Sequence, residues 1–229
     1  IGAQIAKHLD TKDYRVVINY SQKKQKAELV NEEFEAKGGE ASLYQADVSD
    51  PQQVDDMFAG VIAEWGGVDF LINNAGVMAL SPLHDTSDES IDRHININLK
   101  GSLYTMRAAA KRLNQGGSIV NLSTSVVGLK LENYSVYAAT KSAIETATGI
   151  LAKELRGRQI TVNAIAPGPT ATDLFLQGKP AELIDKMAKM SPLERLGEPQ
   201  DIANLVAFLI GSEGSWVNGQ VIRANGGVI

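Results

Sequence analysis

The stretch "VDFLINNAG", residues 68–76, runs an apolar segment straight into a small polar loop ending in glycine. The apolar run does not alternate with polar residues. Such a continuous run is expected of a parallel strand whose two faces are both covered by helices. Asn, Ala and Gly then leave little side chain in the way, so a ligand can approach the backbone closely.

Five further segments read the same way: "RVVIN" (15–19), "ASLYQA" (41–46), "SIVNLS" (118–123), "TVNAIA" (161–166) and "QVIRA" (220–224). Amphipathic stretches at 22–37, 51–65, 87–113, 135–156 and 199–211 lie between them. Pro51 and Pro199 stand where a helix start tolerates proline, because the first helical N–H has no partner to lose. No repeat, low-complexity tract or linker interrupts the order. The expected architecture is one α/β domain over residues 1–229, a doubly wound parallel sheet with helices on both faces, the Rossmann fold. Ligands of such sheets bind beyond the carboxyl ends of the strands. Four small polar loops fall at that edge: "DVSD", "NNAG", "STSVVG" and "PGPTATD".

Composition narrows the function. The 229 residues carry a net charge of −5, which does not suggest a nucleic-acid partner. No run of apolar residues is long enough to span a bilayer. Without cysteine there is no disulfide and no thiolate chemistry, which fits a cytoplasmic protein. His8, His84 and His94 lack metal-ligand spacing, and no metal is expected.

The helix after "STSVVG" holds "YSVYAATKSA", residues 134–143. Tyr137 and Lys141 are four apart and share a helix face; Tyr134 has Ala138 at that spacing. A neighbouring ammonium stabilises a phenolate, so the expectation is a phenol lowered from its usual value near 10 and able to exchange a proton near neutral pH. A Tyr and a Lys also fall four apart by chance, and the remaining motifs have to carry the assignment.

Those motifs are "NNAG" (73–76), "INLKG" (97–101), "STSVVG" (123–128), "YAATK" (137–141), "PGPTAT" (167–172), "PLERLGEPQDIA" (192–203) and "NGQVIRANGG" (218–227). In order and spacing the sequence resembles the short-chain dehydrogenase/reductase family along essentially its whole length. Within that family it is similar to NADPH-dependent carbonyl reductases of the 3-oxoacyl-carrier-protein reductase type and to broad aldehyde or ketone reductases. The resemblance implies that Tyr137 is the catalytic acid/base. It gives Lys141 the roles of lowering the phenol's pKa and holding the nicotinamide ribose. Asn98 would hold that lysine through a water in a proton relay. Ser125 corresponds to the serine that hydrogen-bonds the substrate oxygen; it precedes Val126-Val127-Gly128 and lies 12 residues before Tyr137, with Ser123 and Thr124 beside it. Reduction of a ketone puts negative charge on its oxygen, which two hydroxyl donors stabilise.

The resemblance also implies the NADP(H) contacts. Asp47 and Val48 would flank the adenine, and Asn74, Ala75 and Gly76 the adenosine ribose. Pro167, Gly168, Thr170 and Thr172 would border the nicotinamide and pyrophosphate. Gly2 corresponds to the last glycine of the family's glycine-rich turn; the first strand and most of that turn are absent from this sequence, and a longer parent chain is expected. A sheet without that strand would fall into two halves. The residues ending the second strand of the family pattern are Asn19, Tyr20 and Ser21, with no carboxylate before Glu28 and with Lys23, Lys24 and Lys26 nearby. An acid at that position would favour NAD by bonding the ribose and repelling a 2′-phosphate, so its absence favours NADP(H).

The expected substrate is a small carbonyl or alcohol compound in a pocket of Met78, Leu80, Val126, Val127, Leu129, Leu174 and Phe175. A homotetramer is implied, through "SLYTMRAAAKRL" and "AIETATGILAKEL" on the helices at 87–113 and 135–156. One alternative is a non-catalytic NADP(H)-binding sensor on the same fold. Another is an epimerase or dehydratase of the extended branch, for which the segment after "PGPTAT" is too short.

Overall fold

A computed structural model of the protein describes residues 1–9 and 11–229. Helix α1 (Gly2–His8) leads to strand β1 (Arg15–Tyr20), α2 (Lys24–Glu35), β2 (Glu40–Gln45), α3 (Pro51–Trp65) and β3 (Phe70–Asn73). Next come α4 (Asp88–His94), a π-helical segment (Ile95–Gly101) and α5 (Ser102–Arg112). The order continues with β4 (Ser118–Leu122), α6 (Val126–Leu129), α7 (Ser135–Glu154) and β5 (Thr161–Pro167). Helices α8 (Asp173–Leu176), α9 (Ala181–Lys189) and α10 (Pro199–Ile210) precede β6 (Val221–Ala224). All six expected strands are present and every strand pair is parallel.

The strands form two ladders, β1–β2 and β3–β4–β5–β6. No strand among the described residues pairs with both β1 and β3, and the contacts between the two halves include helix packing. Helix α1 provides part of that packing, since it lies against both α2 and α10.

Strands β4 and β5 are buried from end to end, which is why their sequences read as continuous apolar runs. Alternation still sorts their side chains between two cores. Ile119 and Val162 face a cluster with Met106 and Ala109 of α5 and Ile144 of α7. Val120, Leu122 and Ile165 face the opposite cluster, with Ile202, Val206 and Leu209 of α10 and Ile5 of α1.

Local chemistry sets the helix starts. The Asp50 carboxylate accepts from the N–H groups of Gln52 and Gln53 at 2.8 and 3.3 Å, ahead of Pro51. Gly66 ends α3 with φ at +81°, a left-handed conformation in which a Cβ would be strained. Glu198 and Asp201 cap α10 reciprocally, and Arg195 clamps Asp201 at 2.7 and 3.1 Å. This geometry accounts for the residue types in "RLGEPQDIA".

The expected long helix over 87–113 is one continuous rod with a change of winding. Residues Ile95–Gly101 form π-helical turns between α4 and α5. A π segment sets a side chain at an angle that α periodicity does not provide, and Asn98 lies in this one.

Candidate active site

A cleft of about 680 Å³ opens where β3, β4 and β5 end. Asn74–Gly76, Ser123–Ser125 and Pro167–Thr172 form its rim, with Tyr137 and Lys141 of α7 between them. Sequence-expected residues from four separate segments are thus brought to one cavity.

Lys141 is 5 % exposed, and its Nζ donates to the Leu122 carbonyl at 2.7 Å. Burial pushes its pKa down to about 8, because the charged form loses hydration. The expected lowering of Tyr137 by this lysine is not what the structure gives. Burial pushes the phenol up to about 12; a hydrogen bond from Thr124 pulls it down and Tyr134 pushes it further up. Lys141 Nζ lies 6.0 Å from the Tyr137 ring centre and is directed at a backbone carbonyl. The two residues share a helix face as expected, and desolvation is the largest influence on each.

Asn98 is fully buried, and its amide pairs with the backbone of Val77 in both directions, at 2.8 and 2.9 Å. It thereby holds the loop after β3 against the π-helical segment. Gly76 lies in the same place: a Cβ there would come within 3.3 Å of Asn98 Oδ1 and 3.6 Å of Lys141 Nζ. A glycine keeps this passage beside the lysine open. A Cβ at Gly2 would lie 2.5 Å from Asn74 Nδ2, so α1 starts in close contact with the same loop. These close approaches suit a dinucleotide laid along the strand ends.

Ser125 is 2 % exposed, and both sides of its hydroxyl are engaged. Its Oγ donates to Ala166 O at 2.9 Å and accepts from Asn225 Nδ2 at 3.0 Å. Thr124 lines the cleft with Tyr137, and its Oγ1 accepts from the Val126 N–H at 3.3 Å. Thr170 Oγ1 turns inward to Gly168 O at 2.9 Å, and Thr172 caps α8 through the Phe175 N–H.

Asn19, Tyr20, Ser21, Asp47 and Val48 lie at the ends of β1 and β2, outside the lining of this cleft. The Asn19 amide donates to Tyr44 O and Ala46 O, both at 3.1 Å, and ties the two strand ends together. Asp47 folds its own loop by accepting from the Ser49 N–H and hydroxyl at 2.9 and 2.7 Å. Val48 packs against Gly101, where a Cβ would come within 2.8 Å of it. Of the nearby lysines, Lys24 pairs with Glu28 at 3.1 Å and Lys26 with Asp173 at 3.3 Å.

Met78, Val126, Leu129, Leu174 and Phe175 line the cleft as expected, whereas Leu80 and Val127 do not. Sequence reasoning missed Tyr134, whose ring meets Tyr137 edge-on at 6.4 Å between centres. It missed Met187 and Met190 of the α9 segment, which had not been read as a helix. It also missed His94, a buried side chain set edge-on to Tyr137 at 6.5 Å. The His94 Nε2 accepts from the Ala79 N–H at 3.1 Å, and Nδ1 faces Ser90 O at 2.7 Å, which places the proton on Nδ1. Thr124 and Asn225 had no signal beyond their neighbours, since their roles come from tertiary contacts.

Comparison with known proteins places the chain in a family. The family described as Enoyl-(Acyl carrier protein) reductase matches residues 1–229. A "Short-chain type dehydrogenase/reductase" of Picea abies is 43% identical over 239 residues, covering 100% of this chain and 88% of the relative. A "NADPH-dependent aldehyde reductase-like protein, chloroplastic" of Arabidopsis thaliana is 43% identical over 243 residues, covering 100% of this chain and 90% of the relative. The crystal structure of a short-chain dehydrogenase from Burkholderia cenocepacia J2315 in complex with NADP superposes with a TM-score of 0.92 at 35% identity. It covers 99% of this chain and 92% of that one. No helix among the described residues is long and apolar enough to cross a membrane.

Burial of Lys141 sets a pH dependence of stability. The unfolded chain keeps this proton to about pH 10.5 and the folded chain only to about pH 8. Between those values the unfolded state binds more protons, so stability rises with pH; below pH 8 the burial penalty is present in full. Lys141→Met should therefore gain most, relative to wild type, below pH 8, and the gain should shrink as pH rises toward 10. Thermal denaturation of both proteins at several pH values checks this; a pH-independent difference would contradict it.

Proposed function

Because the chain belongs to the short-chain dehydrogenase/reductase family, we propose that it is an NADP(H)-dependent carbonyl reductase with Tyr137 as the proton donor. The observation that supports this best is the meeting of the Tyr137 phenol, the Lys141 ammonium and the loop hydroxyls in one cleft, beside glycines that leave a passage for a dinucleotide. NADPH, when bound, supplies the hydride for the carbonyl carbon.

The residues of the chain do the rest. Asn74–Gly76 and Pro167–Thr172 hold the cofactor along the strand ends, with Gly2, Asp47 and Val48 toward its adenosine half. Lys141 holds the nicotinamide ribose, its charge kept by the protonation expected below about pH 8. Asn98 supports it by fixing the loop at Val77. The phenol stays protonated up to about pH 12, so Tyr137 Oη is a donor across the neutral range. In reduction the incipient alkoxide takes a proton from it. The loop 123–125 contributes the second hydroxyl toward the reacting oxygen. Met78, Leu129, Leu174, Phe175, Met187 and Met190 exclude water and select an apolar aldehyde or ketone.

Preference for NADP(H) rests on the end of β1, where Asn19, Tyr20 and Ser21 put no carboxylate against a 2′-phosphate. Homotetramer assembly through α5 and α7 belongs to the same reading. Leu103 and Ile150 on those helices are 39% and 52% exposed.

Three outcomes are expected. Tyr137→Phe keeps the packed ring and removes the proton, so kcat for an apolar aldehyde with NADPH should fall by about 10²–10⁴-fold without loss of fold. Near-normal turnover would sink the assignment. Ser21→Asp should reduce kcat/KM with NADPH and raise it with NADH; no change in the ratio would remove β1 from cofactor choice. Light scattering at micromolar concentration should report a tetramer, and a monomer would refute that part.

A further inference from the structure

We propose that Thr124, and not Ser125, provides the second hydroxyl that holds the substrate oxygen, and that Ser125 is a positioning residue anchored by Asn225. The inference rests on the carbonyl reductase reading and assigns one of its parts.

A hydroxyl has one hydrogen to give and two lone pairs. Ser125 gives its hydrogen to the Ala166 carbonyl at 2.9 Å and accepts from Asn225 Nδ2 at 3.0 Å. Donating to a substrate would take that hydrogen from a carbonyl on a fully buried strand, breaking a bond that ties the loop after β4 to β5. The Ser125 backbone is held as well, its N–H donating to Pro167 O at 2.8 Å.

Thr124 is arranged differently. Its Oγ1 accepts from the Val126 N–H at 3.3 Å, it lines the same cleft as Tyr137, and among the described residues no backbone carbonyl takes its hydrogen. Any oxygen that takes the Tyr137 proton has to sit beside that phenol. A carbonyl oxygen entering there receives the Thr124 hydrogen without stripping a backbone group. Thr124 also lines the cleft, and its methyl group extends the apolar wall next to Val126.

The contacts of Ser125 explain why a serine stands there. Asn225 belongs to the turn "NGG" after β6, and its Oδ1 accepts from the Gly227 N–H at 3.0 Å. A Cβ at Gly168 would come within 2.8 Å of Asn225 Cα, so this turn rests directly on the loop after β5. Ser125 joins the loops after β4 and β5 to the C-terminal turn. It holds this part of the cleft wall in place and does not present a free donor to it.

The test compares Thr124→Val, Thr124→Ser and Ser125→Ala, with Tyr137→Phe as a control. Steady-state kinetics would use an apolar aldehyde, and NADPH affinity would be read from nicotinamide fluorescence. Thr124→Val should lower kcat/KM by about 100-fold, the scale of one lost oxyanion donor, with NADPH affinity within about 2-fold. Thr124→Ser should recover to within about 5-fold of wild type, which a merely structural methyl or packing role would not produce. Ser125→Ala should lose less than about 10-fold and melt at a lower temperature. A larger loss in Ser125→Ala than in Thr124→Val, or no recovery in Thr124→Ser, overturns the proposal. If Tyr137→Phe stays active, the carbonyl reductase reading fails with it; if only Tyr137→Phe is inactive, this inference alone fails.

Discussion

A lysine ammonium inside a protein needs a partner, and in this chain Lys141 finds it in the carbonyl of Leu122. That one hydrogen bond fixes the middle of α7 to the last residue of β4. It is available because the Leu122 carbonyl faces β3, and the ladder between β3 and β4 ends at Asn73. Beyond it the chain leaves the strand direction, and the Ser123 N–H still reaches Ile165 O at 2.7 Å. The strand end, the loop hydroxyls and the α7 face are thereby set in one frame. Tyr137, one turn before the lysine, is carried to the rim of the cleft by the same contact.

A buried polar ladder braces that frame from behind. Thr105 donates to Asn73 at 2.6 Å, Asn73 to Asn121 at 2.8 Å, and Asn121 to Thr148 at 2.9 Å. The chain of amides and hydroxyls crosses from α5 through β3 and β4 to α7. Every link is satisfied, so it specifies the register of helices and strands without an unpaired buried group. Two residues beyond Asn121, Ser123 donates to Glu145 of α7 at 2.6 Å, and this adds a second tie between the β4 loop and the helix. The precision of the site thus derives from polar contacts within an otherwise apolar core.

Burial acts on the two titratable groups of the cleft in a complementary way. It opposes charge on both, raising the phenol and lowering the ammonium. The pair spends little time as phenolate and ammonium together at neutral pH. A neutral phenol next to an ammonium of reduced pKa is an acid with a nearby proton source, which is the protonation state that reduction of a carbonyl requires.

The order of the strands, the proline-marked starts of α3 and α10, and the shared face of Tyr137 and Lys141 were all legible in the sequence. Each depends on residues within a turn or two of one another, where periodicity and capping chemistry act. The motifs at the strand ends likewise announced a ligand edge, because parallel strands put their loops on one side. Other features were decided only in three dimensions. The α9 segment is a helix whose Met187 and Met190 reach the cleft, and Ile95–Gly101 winds as a π segment that sets Asn98 against Val77. The phenol rises instead of falling, since burial depends on what the whole fold stacks around it. The division of labour between Thr124 and Ser125 turns on Asn225, a hundred residues further along the chain. Sequence spacing assigns residue types to a loop, but which hydroxyl is free depends on hydrogen-bond partners that only tertiary packing brings within reach.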